Sequence, residues 1–198
     1  MTLHATVQAL GALGVCAAVT VCTLYVTKST AQSAKEAQPQ AGSNASPIYG
    51  VTIPAGYRDW RLISVGHLAG GNLKQLRAQL GNDIAMKAFR EGKLPFPDGT
   101  IIAALHWNEA SSDENNKVLV SGPSIVAGAD PQSSVAGSAV NVQFMVKDSK
   151  KYAATAGWGF ADFKNGKPGD EALHKNCFPC HQPVKDRDYV FTRYAPTP

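Results

Sequence analysis

The sequence predicts an α+β fold in which a mainly antiparallel β-sheet packs against helices. Segments with strand and helix patterns follow the order strand, helices, several strands and a C-terminal helix, without the regular alternation of a parallel sheet. Glycine and proline turn signals separate these segments. The length of 198 residues also suits one compact domain with an additional tail.

The first predicted strand covers Asp59–Leu68, where β-branched and apolar residues precede a break at Gly70–Gly71. The next segment, Asn72–Leu80, is predicted to be a helix because three leucines recur at helical spacing. These leucines are Leu73, Leu76 and Leu80.

A second helix is predicted over Asp83–Glu91. Asn82 is a favourable N-cap for it, and Gly92 is a favourable residue for its C-terminal end. Asp98–Gly99 then has turn chemistry and leads into Thr100–Trp107, which is predicted to be a central strand.

Three further strands and one helix complete the predicted order. The strand candidates are Lys117–Val126, Val140–Asp148 and Gly157–Phe163. Gly169–Cys177 is predicted to be a helix. We expect Pro179 and Pro183 to end this helix near its last residue and to hold Cys180–His181 on a short turn.

The N-terminal part of the chain differs in composition from the rest. Ala5–Val26 has no charged residue and is long enough to cross a bilayer, so residues 1–31 are interpreted as a signal peptide or N-terminal membrane anchor. Cys16 and Cys22 lie in this segment and are interpreted as apolar filler. Residues 32–47 are rich in Ser, Ala, Gln and Pro and predict a flexible linker, followed by a domain over residues 48–198.

The overall composition indicates no particular macromolecular partner. The formal net charge is +4, and basic residues are not interleaved with aromatic ones, so nucleic-acid binding is not predicted. Hydrophobic residues form 44% of the chain, which is enough for a packed core. Membrane contact is expected only through the N-terminal segment.

The strongest chemical signal is the stretch HKNCFPCHQP, in which Cys177 and Cys180 are followed directly by His181. A zinc site needs four ligands, usually in separated pairs, whereas His174 and these three residues all lie within eight positions. A thiol redox pair needs its first cysteine at a helix N-terminus in a fold that continues beyond it. Attachment of a c-type haem uses both thiols and the histidine that follows them.

In the haem interpretation, Cys177 and Cys180 form thioether bonds to the haem, and His181 is the proximal ligand of the iron. Residues at positions i, i+3 and i+4 share one face of a helical turn, so a single turn presents all three. This chemistry takes place outside the cytoplasmic membrane, in agreement with an export segment. We therefore expect one covalently attached haem c in a protein that is periplasmic or tethered to the cytoplasmic membrane.

The sixth coordination position decides what such a haem does. Met86 and Met145 are expected to be core residues. His67 is expected to lie at the surface, and His174 is too close to the first cysteine to reach the other side of the ring. These few candidates favour a five-coordinate iron, with His106 as the residue to examine.

Five segments together resemble the cytochrome P460 family over nearly all of residues 48–198. They are Tyr57–Trp60, Phe96–Ile102, Gly157–Phe163, the cysteine–histidine motif and Asp188–Pro196. The resemblance implies a mainly antiparallel sheet with packed helices, one c-type haem with a proximal histidine, and often a homodimer. It also implies one of two kinds of protein. One kind oxidises hydroxylamine and has an extra bond between a lysine and the haem, whereas the other, cytochrome c′-beta, lacks this bond and binds nitric oxide and carbon monoxide in an apolar pocket.

Two positions separate this chain from the oxidising kind. When the family is aligned on Asp98–Gly99–Thr100, the cross-linking lysine falls at Ala104. The distal carboxylate, which in the oxidising kind lies just before the first cysteine, falls by its spacing at Leu173. Alternation along the strand places Ile102, Ala104 and His106 on one face. That face is either plain sheet core or a distal pocket, which would then be apolar, with one imidazole at its rim and no groups for proton transfer.

The sequence therefore predicts an exported monohaem cytochrome that binds nitric oxide or a similar small ligand, and that could also exchange electrons with a redox partner protein. Two alternatives remain open. An enzyme that oxidises hydroxylamine or nitric oxide would need a lysine bonded to the haem. A plain electron carrier would have a six-coordinate iron that ignores carbon monoxide.

Overall fold

The computed structural model describes residues 44–121 and 132–195. In this part of the chain, six strands form one antiparallel sheet whose strand order is the order of the chain. The strands are β1 (Arg61–Gly70), β2 (Leu73–Gly81), β3 (Ile101–Ser111), β4 (Ser134–Lys147), β5 (Trp158–Lys164) and β6 (Lys167–Pro168). The helices are α1 (Asp83–Glu91), α2 (Asp113–Ser121), α3 (Glu171–Lys175) and α4 (Cys177–His181). The predicted α+β fold is confirmed.

Strand β2 is an element that the sequence analysis predicted wrongly. It pairs with β1 and with β3, and the turn at Gly71–Asn72 closes the hairpin with β1. Leu73, which a helix would have buried, is 41% exposed. Leu76 and Leu80 fit a period of two as well as a helical period. The segment is a strand because it pairs with a neighbouring strand on each of its two edges.

Helix α2 is the second correction, because Lys117–Val126 was predicted to be a strand. The described part of that segment is helical, and residues 122–131 lie outside the described ranges. The helix starts with Asp113 and Glu114 in its first turn, and the Ser112 carbonyl accepts the N–H of Asn116 at 2.9 Å. These residues at the N-terminal end favour a helix more strongly than the β-branched valines that follow favour a strand.

Helix α1 has the predicted bounds and the predicted ends. The side chain of Asn82 accepts the Ala85 N–H at 2.9 Å, which satisfies one free donor of the first turn. Gly92 adopts a left-handed conformation with φ of 60°, and its N–H bonds back to the Ala88 carbonyl. The helix buries Ala85, Met86 and Ala88.

The remaining strand predictions are confirmed, with shifted ends. β1, β3 and β5 overlap the predicted segments, and β4 starts earlier than predicted, at Ser134. The sheet and α1 enclose the core between them. Its largest fully buried apolar side chains are Trp158, Phe144, Phe163, Ile63, Met86 and Val190.

The N-terminal predictions fall largely outside the described residues. The signal or anchor segment lies there entirely, as does most of the linker. The end of the predicted linker is packed, because Ser46 is 3% exposed and donates to the Phe160 carbonyl at 3.0 Å. Packing therefore begins before Ile48, the predicted start of the domain. Within residues 44–121 and 132–195, no helix is long and apolar enough to cross a membrane.

Two features bring the C-terminal segment to the sheet. Helices α3 and α4 both pack against β5. Further along the chain, the Ala195 N–H donates to the Ile63 carbonyl of β1 at 2.9 Å. The cysteine–histidine motif is thereby held beside the sheet.

Candidate functional site

Helix α4 carries the whole cysteine–histidine motif on one turn. The preceding helix ends near Cys177, as expected, because α3 ends at Lys175. The short turn expected at Cys180–His181 is helical and belongs to α4, which starts at Cys177. Pro179 is the third residue of α4, where a backbone N–H has no intrahelical acceptor, so the proline is tolerated. The N–H of Cys180 still donates to the Asn176 carbonyl at 3.1 Å.

The imidazole of His181 is held in one orientation. Its Nδ1 lies 2.7 Å from the carbonyl oxygen of Tyr189. A carbonyl only accepts, so Nδ1 carries the hydrogen and Nε2 keeps the lone pair that coordinates a metal. The ring packs between Phe160 and Phe191, each with its centroid 5.0 Å away. Burial lowers the pKa of His181, against a smaller opposing effect of the Tyr189 bond, and thereby favours the neutral form.

The environment of Cys177 does not suit a reactive thiol. Burial, followed by the charges of Asp162 and Cys180, raises the pKa of the Cys177 thiol to about 11. Redox-active cysteines have a lowered pKa, because the thiolate is the reactive form. The structure therefore favours a role in which this thiol is not a free nucleophile.

A zinc site at the motif would lack its fourth ligand, because His174 is not free to coordinate a metal. His174 is fully buried, and both of its ring nitrogens are engaged. Nε2 accepts the backbone N–H of Asp162 at 3.2 Å, and Nδ1 donates to the Asp170 carbonyl at 2.7 Å. In the part of the chain that the structure describes, no group of three or more His, Cys, Asp or Glu residues could hold a metal ion.

A cavity of about 370 Å³ lies between α4 and the sheet. This volume is within the range of small-molecule and cofactor sites. Its lining includes both sets of residues that the sequence analysis singled out, namely Cys177, Cys180 and His181 of α4 and Ile102, Ala104 and His106 of β3. The fold therefore brings the two sets together in one site.

The cavity is more polar than predicted. Its lining also contains Arg77 and Gln79 of β2, Gln143 of β4 and Asp162 of β5. The expectation that no group for proton transfer would line the pocket was therefore wrong, because Asp162 is part of the lining. These polar side chains reach the cavity because residues directly opposite each other on neighbouring strands point to the same face of the sheet.

The polar residues form two rows across the sheet. Arg77 is directly opposite His106, and Gln143 is directly opposite Asp162. The Asp162 carboxylate accepts hydrogen bonds from Asn141 Nδ2 at 2.6 Å and from Gln143 Nε2 at 2.8 Å. The Nε atom of Arg77 is buried and has no hydrogen-bond partner among the described residues. The cavity thus holds a guanidinium with bonding capacity to spare.

A family comparison decides between the remaining interpretations of the site. A family model described as Cytochrome P460 matches residues 54–192, which is more than half of the chain. The chain belongs to the cytochrome P460 family. A comparison with curated proteins found no match. Membership in this family implies a haem-binding cytochrome, and it confirms the resemblance found in the sequence.

The residues around the cavity fit the haem of a cytochrome P460. Two thiols and an imidazole are presented by one helical turn, and the Tyr189 carbonyl orients the imidazole. Apolar surface for a porphyrin comes from Ile102, Ala104 and Phe160. The site offers one imidazole to coordinate iron, and its two thiols would bond to the porphyrin rather than to the metal, as in a haem site. A zinc site would need a fourth ligand, and His174 is not available for it.

The two positions at which the resemblance places the lysine and the carboxylate of the oxidising kind both lie at the cavity. Ala104 and Leu173 are part of its lining. No lysine lines the cavity in the described part of the chain. At the same time, Asp162 supplies a carboxylate from a different strand.

The candidates for a sixth ligand are sorted by position. His106 and Met145 line the cavity, whereas Met86 is buried with α1 in the core. His67 lies on β1, where its Nε2 is 2.9 Å from a carboxylate oxygen of Glu109. Only two of the candidates are therefore placed beside the cofactor site.

Four polar residues on the sheet side of the cavity were not predicted from the sequence, namely Arg77, Gln79, Gln143 and Asp162. Arg77 and Gln79 were hidden because their segment was predicted to be a helix. The signal that could have found them is the alternation of Gln75, Arg77 and Gln79 with apolar residues.

Proposed function

We propose that the protein is a c-type cytochrome with one haem, bound covalently through Cys177 and Cys180 and coordinated by His181. The observation that carries this proposal is the shared position of the two thiols and the oriented imidazole at one cavity. In thioether formation, each thiol adds across one vinyl double bond. A carbon–sulfur bond forms, the thiol hydrogen goes to the neighbouring carbon, and no net oxidation occurs.

The protein binds a small nitrogen-oxide ligand such as nitric oxide in the cavity beside β2–β5. A haem held by His181 would supply an iron that could bind a small molecule. On the protein's side, Ile102 and Ala104 restrict the size of the ligand and reduce the access of water. Arg77 and His106 lie on the same face and supply hydrogen-bond donors for a polar ligand atom.

A second candidate function is the oxidation of hydroxylamine or nitric oxide. The observation that favours it is the polar lining, because such reactions release protons and Asp162 and His106 are groups that can accept them. The observation against it is that Ala104 stands where the oxidising relatives would have the cross-linking lysine. Ligand binding is therefore the function that the site supports best.

An optical spectrum of the ferrous holoprotein, recorded with and without nitric oxide and carbon monoxide, tests the ligand-binding function. We expect a high-spin spectrum that changes on addition of either gas. A low-spin spectrum that neither gas alters would instead indicate an electron carrier with His106 or Met145 as the sixth ligand. Mass analysis of the haem peptide completes the test, because a third bond between protein and haem would support the oxidising enzyme.

We also propose that the protein is exported, since c-type haem attachment takes place outside the cytoplasmic membrane. The apolar segment Ala5–Val26 supports this location, either as a cleaved signal peptide or as an anchor. Cell fractionation and the N-terminal sequence of the purified protein distinguish the two. A redox partner protein is expected wherever the iron changes its oxidation state.

A homodimer is proposed as well, because the family resemblance implies one. The edge strand β1 supports it by exposing Leu62 and Val65, at 50% and 67%. Sedimentation equilibrium of the holoprotein tests this part of the proposal.

A further inference from the structure

A buried ion pair lies outside the cavity and contributes no residue to it. The Nζ atom of Lys147 is 2.8 and 2.9 Å from the two carboxylate oxygens of Asp188, and the side chains are 7% and 9% exposed. Lys147 also donates to the Ala156 carbonyl at 3.0 Å and lies 4.8 Å from the ring centroid of Trp158. Asp188 also accepts the backbone N–H of Phe96 at 2.9 Å. Both charges are fully engaged, as burial requires.

Asp188 belongs to a backbone turn of unusual conformation. Asp188 and Tyr189 are consecutive, and both are left-handed, with φ of 50° and 64°. Tyrosine rarely adopts this conformation unless its surroundings hold it there, whereas aspartate tolerates it more readily. The bonds from Lys147 and from the N–H of Phe96 hold the Asp188 carboxylate from β4 and from the segment before β3, and so restrain the first residue of the pair.

The second residue of this turn holds the candidate haem ligand. The carbonyl of Tyr189 points at Nδ1 of His181, at 2.7 Å. The N–H of Tyr189 bonds to the Val184 carbonyl at 3.1 Å, and its ring packs on Phe178 with centroids 5.2 Å apart. A chain of contacts therefore runs from Lys147 to the imidazole.

We propose that Lys147 and Asp188 are positioning residues for the proximal histidine, a role that rests on the haem site proposed above. The pair fixes the left-handed turn, the turn aims the Tyr189 carbonyl, and the carbonyl sets the orientation and basicity of His181. A well-formed Nδ1–H···O bond strengthens an imidazole as a ligand and favours the ferric over the ferrous iron. The ion pair thus changes the preference of the iron for the ferric state without contacting the haem.

The test compares Asp188→Ala and Asp188→Asn with wild-type holoprotein. Asparagine keeps an acceptor for the Phe96 N–H and tolerates the left-handed conformation, but it removes the charge that pairs with Lys147. We expect the iron–histidine stretching band of the ferrous protein to move to lower frequency, and the reduction potential to become more positive. Asp188→Ala should have the larger effect and Asp188→Asn a smaller one of the same sign.

Met86→Ala is the matched control for a loss of stability alone. Met86 is buried at 1% exposure in α1 and lies outside the chain of contacts to His181. This variant should unfold at a lower temperature while keeping the wild-type stretching band and potential. If Asp188→Ala does not fold, Asp188→Asn and Lys147→Met provide the same comparison.

Two different failures can be told apart. If wild-type protein, matured with haem-attachment machinery, carries no covalent haem on a denaturing gel, the proposed haem site itself is wrong. If all variants carry haem but the Asp188 variants keep the wild-type stretching band and potential, the haem site stands and the positioning role is overturned.

Discussion

On the α4 side of the cavity, all three candidate cofactor-binding residues come from five consecutive positions, Cys177–His181. On the sheet side, Arg77, His106, Gln143 and Asp162 come from four different strands. The first group depends on one helical turn and the backbone that supports it. The second depends on the register of three strand pairs, so its chemistry can change with small shifts of the sheet while the attachment site stays intact.

The largest expected effect is a loss of haem attachment on the α4 side of the cavity. The double variant Cys177→Ala, Cys180→Ala should lose all covalent haem, because no thiol of the domain remains to form a thioether. Haem staining of a denaturing gel and the intact mass measure this loss. Cys180→Ala alone is the control and should keep haem through its remaining thiol. Covalent haem on the double variant would contradict the proposed attachment.

A packing change in β5 should affect the sheet side alone. A Cβ added at Gly159 would overlap the ring of Tyr152, which is buried, so Gly159→Ala should lower the free energy of unfolding by about 2 kcal/mol. Chemical denaturation of the holoprotein measures the loss, and haem attachment should remain complete.

The matched control for that change is Gly66→Ala in β1, where an added Cβ meets nothing within 4 Å. Its stability should stay within about 0.5 kcal/mol of wild type. Equal losses in both variants would show that the overlap at Tyr152 is not the cause.

Removal of the cavity guanidinium should change ligand preference with little effect on the fold. Arg77→Met should weaken the binding of nitrite to the ferric protein about tenfold, which corresponds to roughly 1.4 kcal/mol for one charge-assisted hydrogen bond. Binding of carbon monoxide to the ferrous protein needs no such bond and should be nearly unchanged. Arg58→Met, at an exposed position, is the control. Equal weakening of both ligands would indicate a general disturbance of the pocket.

The smallest expected effect is a pH dependence from His106. Burial, followed by the charge of Arg77, lowers the pKa of His106 below its usual 6.5, while Asn141 and Asp162 oppose this shift. The unfolded chain therefore binds more protons than the folded one as the pH falls below 6.5, and stability is lost in that window. The slope for this one group is at most about 1.4 kcal/mol per pH unit.

His106→Gln should remove this contribution. We expect the free energy of unfolding of wild type minus that of His106→Gln to be constant above pH 7. Below pH 7 this difference should decrease, because only wild type loses the contribution of His106. Denaturation curves of both holoproteins at several pH values measure it. Parallel pH profiles would show that another group is responsible.

The same contrast explains what could be predicted from the sequence. The cysteine–histidine motif and the ends of α1 are local, since Asn82 and Gly92 act on backbone groups within one turn. The assignment of β2 failed because Leu76 and Leu80 fit both a helical period and a period of two, and only pairing with the neighbouring strands decides between them. That one error removed Arg77 and Gln79 from the predicted site.

Contacts between residues that are distant in sequence could not be predicted either. The bond between Lys147 and Asp188 joins residues 41 positions apart, and nothing in the spacing of either residue indicates the other. Asp162 lies in a segment that was predicted correctly as a strand. Its direction toward the cavity follows from its pairing with Gln143, which requires the register of β4 and β5.

The order of the six strands has a consequence for biogenesis. Each strand pairs with its neighbour in the chain, so the sheet wall is complete by Pro168, before either thiol of α4. Pairings that are local in sequence form early. On the proposed function, haem is attached after export, and in export from the N-terminus the residues of the sheet wall precede the Cys177–His181 turn. The wall can then assemble while that turn is still accessible for haem attachment, and the contact of Ala195 with Ile63 would close the fold afterwards.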